Sequence, residues 1–323
     1  MDRYRVATIG LASWDELLVT DKFPEPGHYA VVRAASEQPG GTTTNMAVAL
    51  SRLGVHVTIA TMVGDDDRGI ALRHGLTAAG CDVRQVRTRP GEPTDCSTII
   101  VSGNGDETER TILWRKGARP RRGDALPIEE LFAHDLVIVD VDDPHLRRLL
   151  VNLPMHVSPR TRLLGTLTYL QELTPEDGLD LALCHDYVVG GARELCYLTG
   201  AADLPAAVAT LQEEMVLSQT RFAVISRGSL GCLVIDRSHI TAVPAFEARV
   251  IDTTGAGDAF AAGVALGILD RQEPFALGRL ANAMGAFAIR ALGAQANLPA
   301  PEELKAFLAK AKPRVAIGDV PWA

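Results

Sequence analysis

The sequence predicts an α/β protein of three layers, α/β/α, on a mainly parallel sheet, with a small β-sheet lid. Apolar runs of strand length alternate with helical patterns along most of the chain, which implies a parallel sheet covered on both faces. Two polar, alternating segments, about 15–35 and 94–114, break that rhythm. They read as strands of an accessory sheet able to close over a substrate. No Pro/Ser-rich linker or internal repeat divides the chain, so residues 1–323 read as one domain carrying a lid.

The elements follow in order. Arg5–Gly10 is the first buried strand, and the polar segment from Asp15 to Ala35 turns at Pro24 and Pro26. Thr44–Leu53 is helical in pattern, with Thr44 placed as its N-cap. Val57–Met62 is a strand and Asp66–Ala79 a helix. Thr94–Val101 and Glu109–Trp114 pair as a hairpin around a Gly103–Glu107 turn. Strand Leu136–Val141, helix His145–Val151 and strands Arg162–Leu167 and Asp186–Val189 come next. Helices Arg193–Leu198 and Pro205–Glu214 precede three closely spaced strands, Phe222–Ser226, Cys232–Ile235 and His239–Val243. The remainder is helical, including Phe275–Leu292 and Pro301–Ala311.

Bulk properties exclude several function classes. With 323 residues, 47% of them hydrophobic, the chain buries a core without staples. The net charge of −8 and the lack of long basic runs argue against nucleic acid or an anionic membrane as partner. Five cysteines without a Cys-x-x-Cys pair read as reduced thiols of a cytoplasmic protein. The eight histidines show no zinc spacing. No signal-peptide core opens the sequence and no apolar run reaches membrane-spanning length.

The chemistry concentrates in Asp252-Thr253-Thr254-Gly255-Ala256-Gly257-Asp258-Ala259-Phe260. Gly255, Ala256 and Gly257 leave backbone N–H groups open at a helix start, an end that is positive and lacks internal partners. Asp258 follows in the first turn. A carboxylate beside an anion hole suits the handling of a proton on an incoming hydroxyl, which suggests phosphoryl transfer to an alcohol. Simple capping by Asp252, Thr253 and Thr254 is the competing explanation. The helix beyond argues against it. Phe260, Val264 and Ile268 share one face, while Asp258, Ala261, Ala262 and Ala265 form a face almost bare of bulk. A second glycine-to-helix entry, Gly40-Gly41-Thr42-Thr43-Thr44-Asn45, places an amide able to donate and accept toward a sugar diol.

Together these two entries resemble the ribokinase-like (PfkB) family of carbohydrate and nucleoside kinases, in order and over almost the whole chain. The resemblance implies ATP and Mg²⁺ as donor and cofactor, with K⁺ as a further cation. It makes Asp258 the base and Gly255, Ala256 and Gly257 the anion hole. It assigns Asp15, Gly40, Gly41, Asn45 and Asp142 to the acceptor. Ser226-Arg227-Gly228-Ser229-Leu230-Gly231, Gly257 and Asn282 would hold the nucleotide, and Glu194 a magnesium-bound water. Asp252 and Thr254, with carbonyls near Ala288, Ala291 and Gly293, would form the K⁺ site. The chain departs from the family at Gly191-Ala192-Arg193-Glu194, where an Asn-x-x-Glu usually stands and only the glutamate is kept.

The implied reaction passes the γ-phosphoryl group of ATP to a hydroxyl of a sugar or sugar acid, with Asp258 kept ionised by the positive helix end. The alternatives are a nucleoside kinase of the same family and a catalytically idle sugar or nucleotide sensor. Aromatic residues make up only 5% of the chain and few flank the acceptor motifs, which favours a sugar. Trp114, Arg115 and Lys116 read as a solvated hairpin edge. No Gly-x-Gly-x-x-Gly follows the first strand, and no Gly-x-x-x-x-Gly-Lys-Ser/Thr occurs, so dinucleotide oxidoreductases and Walker-type kinases are excluded. A homodimer paired through the lid is expected by family analogy.

Overall fold

A computed structural model describes residues 4–103, 109–153 and 161–314. Its strands are β1 (Arg5–Gly10), β2 (Ser13–Thr20), β3 (Val32–Gly40), β4 (His56–Gly64), β5 (Val86–Arg89), β6 (Cys96–Ser102), β7 (Glu109–Arg115), β8 (Leu136–Asp140), β9 (Arg162–Thr166), β10 (Tyr187–Gly191), β11 (Phe222–Ser226), β12 (Cys232–Ile235) and β13 (Ile240–Val243). Among the described residues nine of them form the central sheet, in the order β13-β12-β11-β10-β9-β8-β1-β4-β5. Pairing is parallel from β5 across to β11. Among the described residues its antiparallel pairings are at one edge, β11 with β12 and β12 with β13, so β12 alone is reversed.

Alternation along the strands divides the core in two. In β8, Ile138 points to one face and Val137 and Val139 to the other; in β11, Val224 opposes Ala223 and Ile225. The first face is covered by helices Thr42–Arg52, Ala256–Leu269 and Pro274–Ala288, and the second by Pro144–Asn152, Pro175–Ala182, Ala192–Thr199 and Leu204–Leu217. The three expected layers are present.

The chain begins mid-sheet at β1, builds outward to β4 and β5, and then returns to build β8 through β13 on the other side. That reversal opens a crevice beyond the carboxyl ends of the strands, where ligands of open α/β sheets bind. Above it lies the second sheet, ordered β3-β2-β6-β7. Register puts Asp15, Ser97 and Trp114 side by side on one face of this sheet, then Leu17, Ile99 and Ile112, then Val19, Val101 and Arg110.

One expectation needs correction. The first helix starts at Thr42 with Gly41 as its N-cap, so Thr44 is a buried residue inside it. The hydroxyls of Thr42 and Thr43 instead donate to the carboxylate of buried Asp140. Strand β5 and helix Pro175–Ala182 were not expected from the pattern. The turn at Gly103–Glu107 lies, beyond Gly103, outside the described residues.

Candidate active site

A cleft of about 920 Å³ runs between the two sheets. Its floor is the ends of β1, β9, β10 and β11, represented by Leu11, Thr166, Gly191 and Ser226. The small sheet forms its roof with Asp15, Ser97, Ile99, Arg110, Ile112 and Trp114. The start of helix Ala256–Leu269 closes one wall.

Gly255 is the N-cap of that helix, at φ 72°. A Cβ there would lie 2.3 Å from the Ala294 Cβ, so only glycine fits. A Cβ on Gly257 would meet no protein atom within 4 Å, because the residue faces the open cleft. Asp252 holds this loop in shape. Its carboxylate accepts from Thr254 N (2.9 Å), Thr254 Oγ1 (2.8 Å) and Gly293 N (2.8 Å). Asp252, Thr254 and Gly293 of the expected cation site are thereby brought together, with Ala288 ending the helix Pro274–Ala288 nearby in sequence.

Asp258 lies partly exposed toward the cleft, and Asn45 Nδ2 donates to its Oδ2 at 2.7 Å. Asn45 is oriented in turn by Gln295, whose Nε2 donates to Asn45 Oδ1 at 2.9 Å and to the Pro39 carbonyl at 3.0 Å. The two glycine-to-helix entries thus meet through one amide. Enclosure by protein pushes the Asp258 carboxyl up to about 6. The Asn45 amide opposes that rise, Asp140 and Glu194 add to it, and Arg110 draws it down. The helix end was expected to keep Asp258 strongly ionised; burial and neighbouring carboxylates outweigh it. A carboxylate near 6 is a better base at neutral pH than an ordinary one.

Asp15 is buried on β2, and burial first, then Asp258 and Asp95, push its carboxyl up to about 7. Gly40 is opposite: a Cβ there would sit 2.0 Å from Asp15 Oδ2. Gly40 therefore makes room for the carboxylate. Asp142 does not reach the cleft lining; Arg119 Nε holds its Oδ2 at 2.8 Å. Asp140, two residues earlier, is fully buried behind the lining residues Thr42 and Thr166, enclosed by the Thr42, Thr43 and Thr166 hydroxyls.

The nucleotide loop divides as well. Ser226, Gly228, Ser229, Gly231 and Asn282 line the cleft. Arg227 and Leu230 do not; Arg227 closes the loop through its N–H on the Gly231 carbonyl (2.7 Å) and its Nη2 on the Leu230 carbonyl (3.1 Å). Asn282 Nδ2 donates to the carbonyls of Val243 (3.2 Å) and Pro244 (3.0 Å). Glu194 also lines the cleft and caps its own helix, its Oε2 accepting from Gly191 N at 2.6 Å. Burial raises its carboxyl.

Gln295, which orients Asn45, escaped the sequence reading, as did the lining residues Arg110 and Tyr169 and an apolar wall of Ala245, Phe246, Ala248 and Val250. Trp114, read as solvated edge, faces the cleft and stands 5.9 Å from the Tyr169 ring. The period-2 spacing of Arg110, Ile112 and Trp114 carries that signal, since it puts all three on one face.

A backbone anion hole, a tuned carboxylate and a crevice at strand ends define a phosphotransferase acting on an alcohol group. The chain belongs to the pfkB family of carbohydrate kinases, whose model matches residues 4–301. It is 29% identical over 312 residues to the ATP-dependent ribose-1-phosphate kinase of Halopiger xanaduensis, covering 95% of this chain and 98% of that protein. It is 27% identical over 317 residues to the ribokinase of Bacillus subtilis, covering 94% and 99%. The ribokinase of Cryptococcus neoformans, solved in complex with ADP, superposes with a TM-score of 0.80 at 21% identity, covering 94% and 99%. That last likeness concerns the fold. Among the described residues no helix is long and apolar enough to cross a membrane.

Proposed function

We propose that the protein transfers the γ-phosphoryl group of ATP to a hydroxyl of a sugar or sugar acid. The observation that carries this is Asp258, poised at the open N-terminus of its helix and held by Asn45 at 2.7 Å. Asp15, Gly40, Gly41 and Asn45 hold the acceptor hydroxyl toward Asp258. The hydroxyl proton passes to the Asp258 carboxylate as its oxygen bonds to the γ-phosphorus. The bond from that phosphorus to the bridging oxygen breaks, and ADP leaves. The N–H groups of Gly255, Ala256 and Gly257 stabilise the oxygens of the group in transit.

Ser226, Gly228, Ser229, Gly231 and Asn282 would take the nucleotide, along the apolar wall from Ala245 to Val250. The donor set fits magnesium at one remove. Glu194 stands in the cleft wall, and magnesium keeps waters and phosphate oxygens as its main ligands. It would neutralise the nucleotide phosphates. With three donors on Asp252, a potassium ion there would rest chiefly on carbonyls of Ala288, Ala291 and Gly293.

A nucleoside acceptor is the second reading. Trp114, in the same strand row as Asp15, and Tyr169 stand together at the cleft and offer aromatic surface that a base could use. The test is ADP formation over pentoses, hexoses, keto-deoxy sugar acids, ribose 1-phosphate and nucleosides, with potassium varied. Turnover with a sugar and none with nucleosides supports the first reading. Absence of turnover with every acceptor removes both. Pairing of two copies through the lid is proposed from its open edges β3 and β7; light scattering showing a monomer rejects it.

A further inference from the structure

The cleft concentrates negative charge. Asp15 on β2, Glu194 on helix Ala192–Thr199 and Asp258 on its own helix all line it, and buried Asp140 at the end of β8 acts on Asp258 from behind. A phosphoryl group moving through that region needs positive charge beyond backbone N–H groups. Two arginines line the cleft, Arg110 and Arg314. Arg314 belongs to the far wall, where its N–H bonds the Ala245 carbonyl at 2.7 Å. Arg110 is at the reaction end. From the third row of the small sheet, beyond Leu17, Ile99 and Ile112, its Nη1 donates to the Thr253 carbonyl at 2.8 Å. That carbonyl also accepts from Ala256 N at 3.2 Å, inside the anion-hole loop. The bond to Thr253 uses one of the five donors of a guanidinium.

We propose that Arg110 is a catalytic residue that the lid brings to the reaction, binding the oxygens of the phosphoryl group as it passes from ATP to the acceptor. The proposal rests on the kinase reading above. Resting on Thr253, the guanidinium is parked within the loop that cradles the same group. The apolar row beside it keeps water away once the lid is down, which strengthens each charged contact. Lid closure and charge neutralisation are then one event.

The test compares the wild-type protein with Arg110→Ala, Arg110→Lys and Arg110→Gln, using the acceptor found in the ADP screen. Wild-type turnover is measured first; its absence counts against the kinase reading itself and is read separately from any variant. Arg110 is exposed at the roof rim, so the fold survives its loss, as melting curves check. Expected for Arg110→Ala is a fall in kcat of about 10²–10³, as for removal of one oxyanion donor, with acceptor KM changed by less than about threefold. Guanidinium ion at millimolar concentration restores part of the rate, and Arg110→Lys retains more than Arg110→Ala. For Arg110→Gln the acid limb of the kcat profile moves to higher pH, because Asp258 loses a cation while Asp15, Asp140 and Glu194 remain. A kcat within threefold of wild type in Arg110→Ala, a loss expressed only in KM, or a rate loss that guanidinium leaves untouched would overturn the proposal.

Discussion

Asp258 is the proposed base, and its surroundings make its titration visible. Its carboxyl stands near 6 and that of Asp15 near 7, each raised chiefly by burial. Because each carboxylate repels the other's charge, the two titrate as a pair. The reaction needs Asp258 ionised, so kcat/KM falls as pH drops through about 7 to 6; a flat profile down to pH 5 would exclude Asp258 as base. Asp258→Asn keeps the fold and loses about 10²–10⁴ in turnover, and near-normal phosphorylation by that variant removes its role. Asp15 makes a separate prediction about stability. Its folded value lies above the ordinary 3.8, so the native state holds that proton more tightly than the unfolded chain. The stability it contributes is present below about pH 4 and is lost as pH rises to about 7. Asp15→Asn removes that loss. Its Tm at pH 8 exceeds wild type by about 1–2 °C for each kcal/mol regained, the gap closes at pH 4, and acceptor turnover falls. Equal melting curves at pH 8 would refute the burial cost. The residues that gather around Asp258 in the cleft were legible because glycines and a carboxylate sit together in sequence. Asp142 was misplaced for the opposite reason. Asp140 and Asp142 both face away from neighbouring Val141 in pattern, and only the partners Arg119 and Thr42 distinguish them.

Elements were read well where pattern and burial agree. β1, β11 and β12 have the expected bounds, since strands buried on both faces read as unbroken apolar runs. β5, Val-Arg-Thr-Arg, is a short edge strand with one buried residue, and its polar sequence hides it. The first helix gained two residues at its start because Asp140, ninety-odd positions away in sequence, satisfies its threonines. Local capping rules cannot register such a partner. Helix Ala256–Leu269 also makes a close approach outside the face bare of bulk: a Cβ on Gly263 would meet the Ala281 Cα at 2.7 Å and the Leu280 carbonyl at 3.1 Å. The helix Pro274–Ala288 packs there against small residues. Gly263→Val forces the pair apart and costs about 1–3 kcal/mol, measured by denaturant midpoint. Since this helix starts with the anion hole, kcat falls with the stability. An unchanged midpoint would show that the contact yields freely.

At the scale of the molecule, the active site is assembled from two bodies of unequal solidity. The central sheet has a large apolar core on each face. The small sheet has a buried cluster of Leu17, Ile99 and Val101, with Val19 and Leu292 against it. Its strand β3 is exposed over most of its length. The contacts that tie it to the body include Arg110 on Thr253, Arg68 on Glu16, Gln295 on the Pro39 carbonyl and Trp114 beside Tyr169. A segment with so little buried area opens at lower free energy than the core does. The sequence shows that this sheet exists, through its broken rhythm, but which face covers the cleft depends on register, which only the folded pairing supplies. On the proposed reading acceptor and nucleotide bind between roof and floor, so they would favour the closed arrangement by their differential affinity for it. Hydrogen exchange followed by mass spectrometry should therefore show β2 and β6 amides exchanging well before those of β8 in the free protein. Adding acceptor with a non-hydrolysable ATP analogue should slow β2 and β6 by about tenfold or more while β8 hardly changes, tenfold corresponding to about 1.4 kcal/mol of added protection. If β2 and β6 are already as protected as β8 without ligand, the small sheet is a fixed wall and its description as a lid fails.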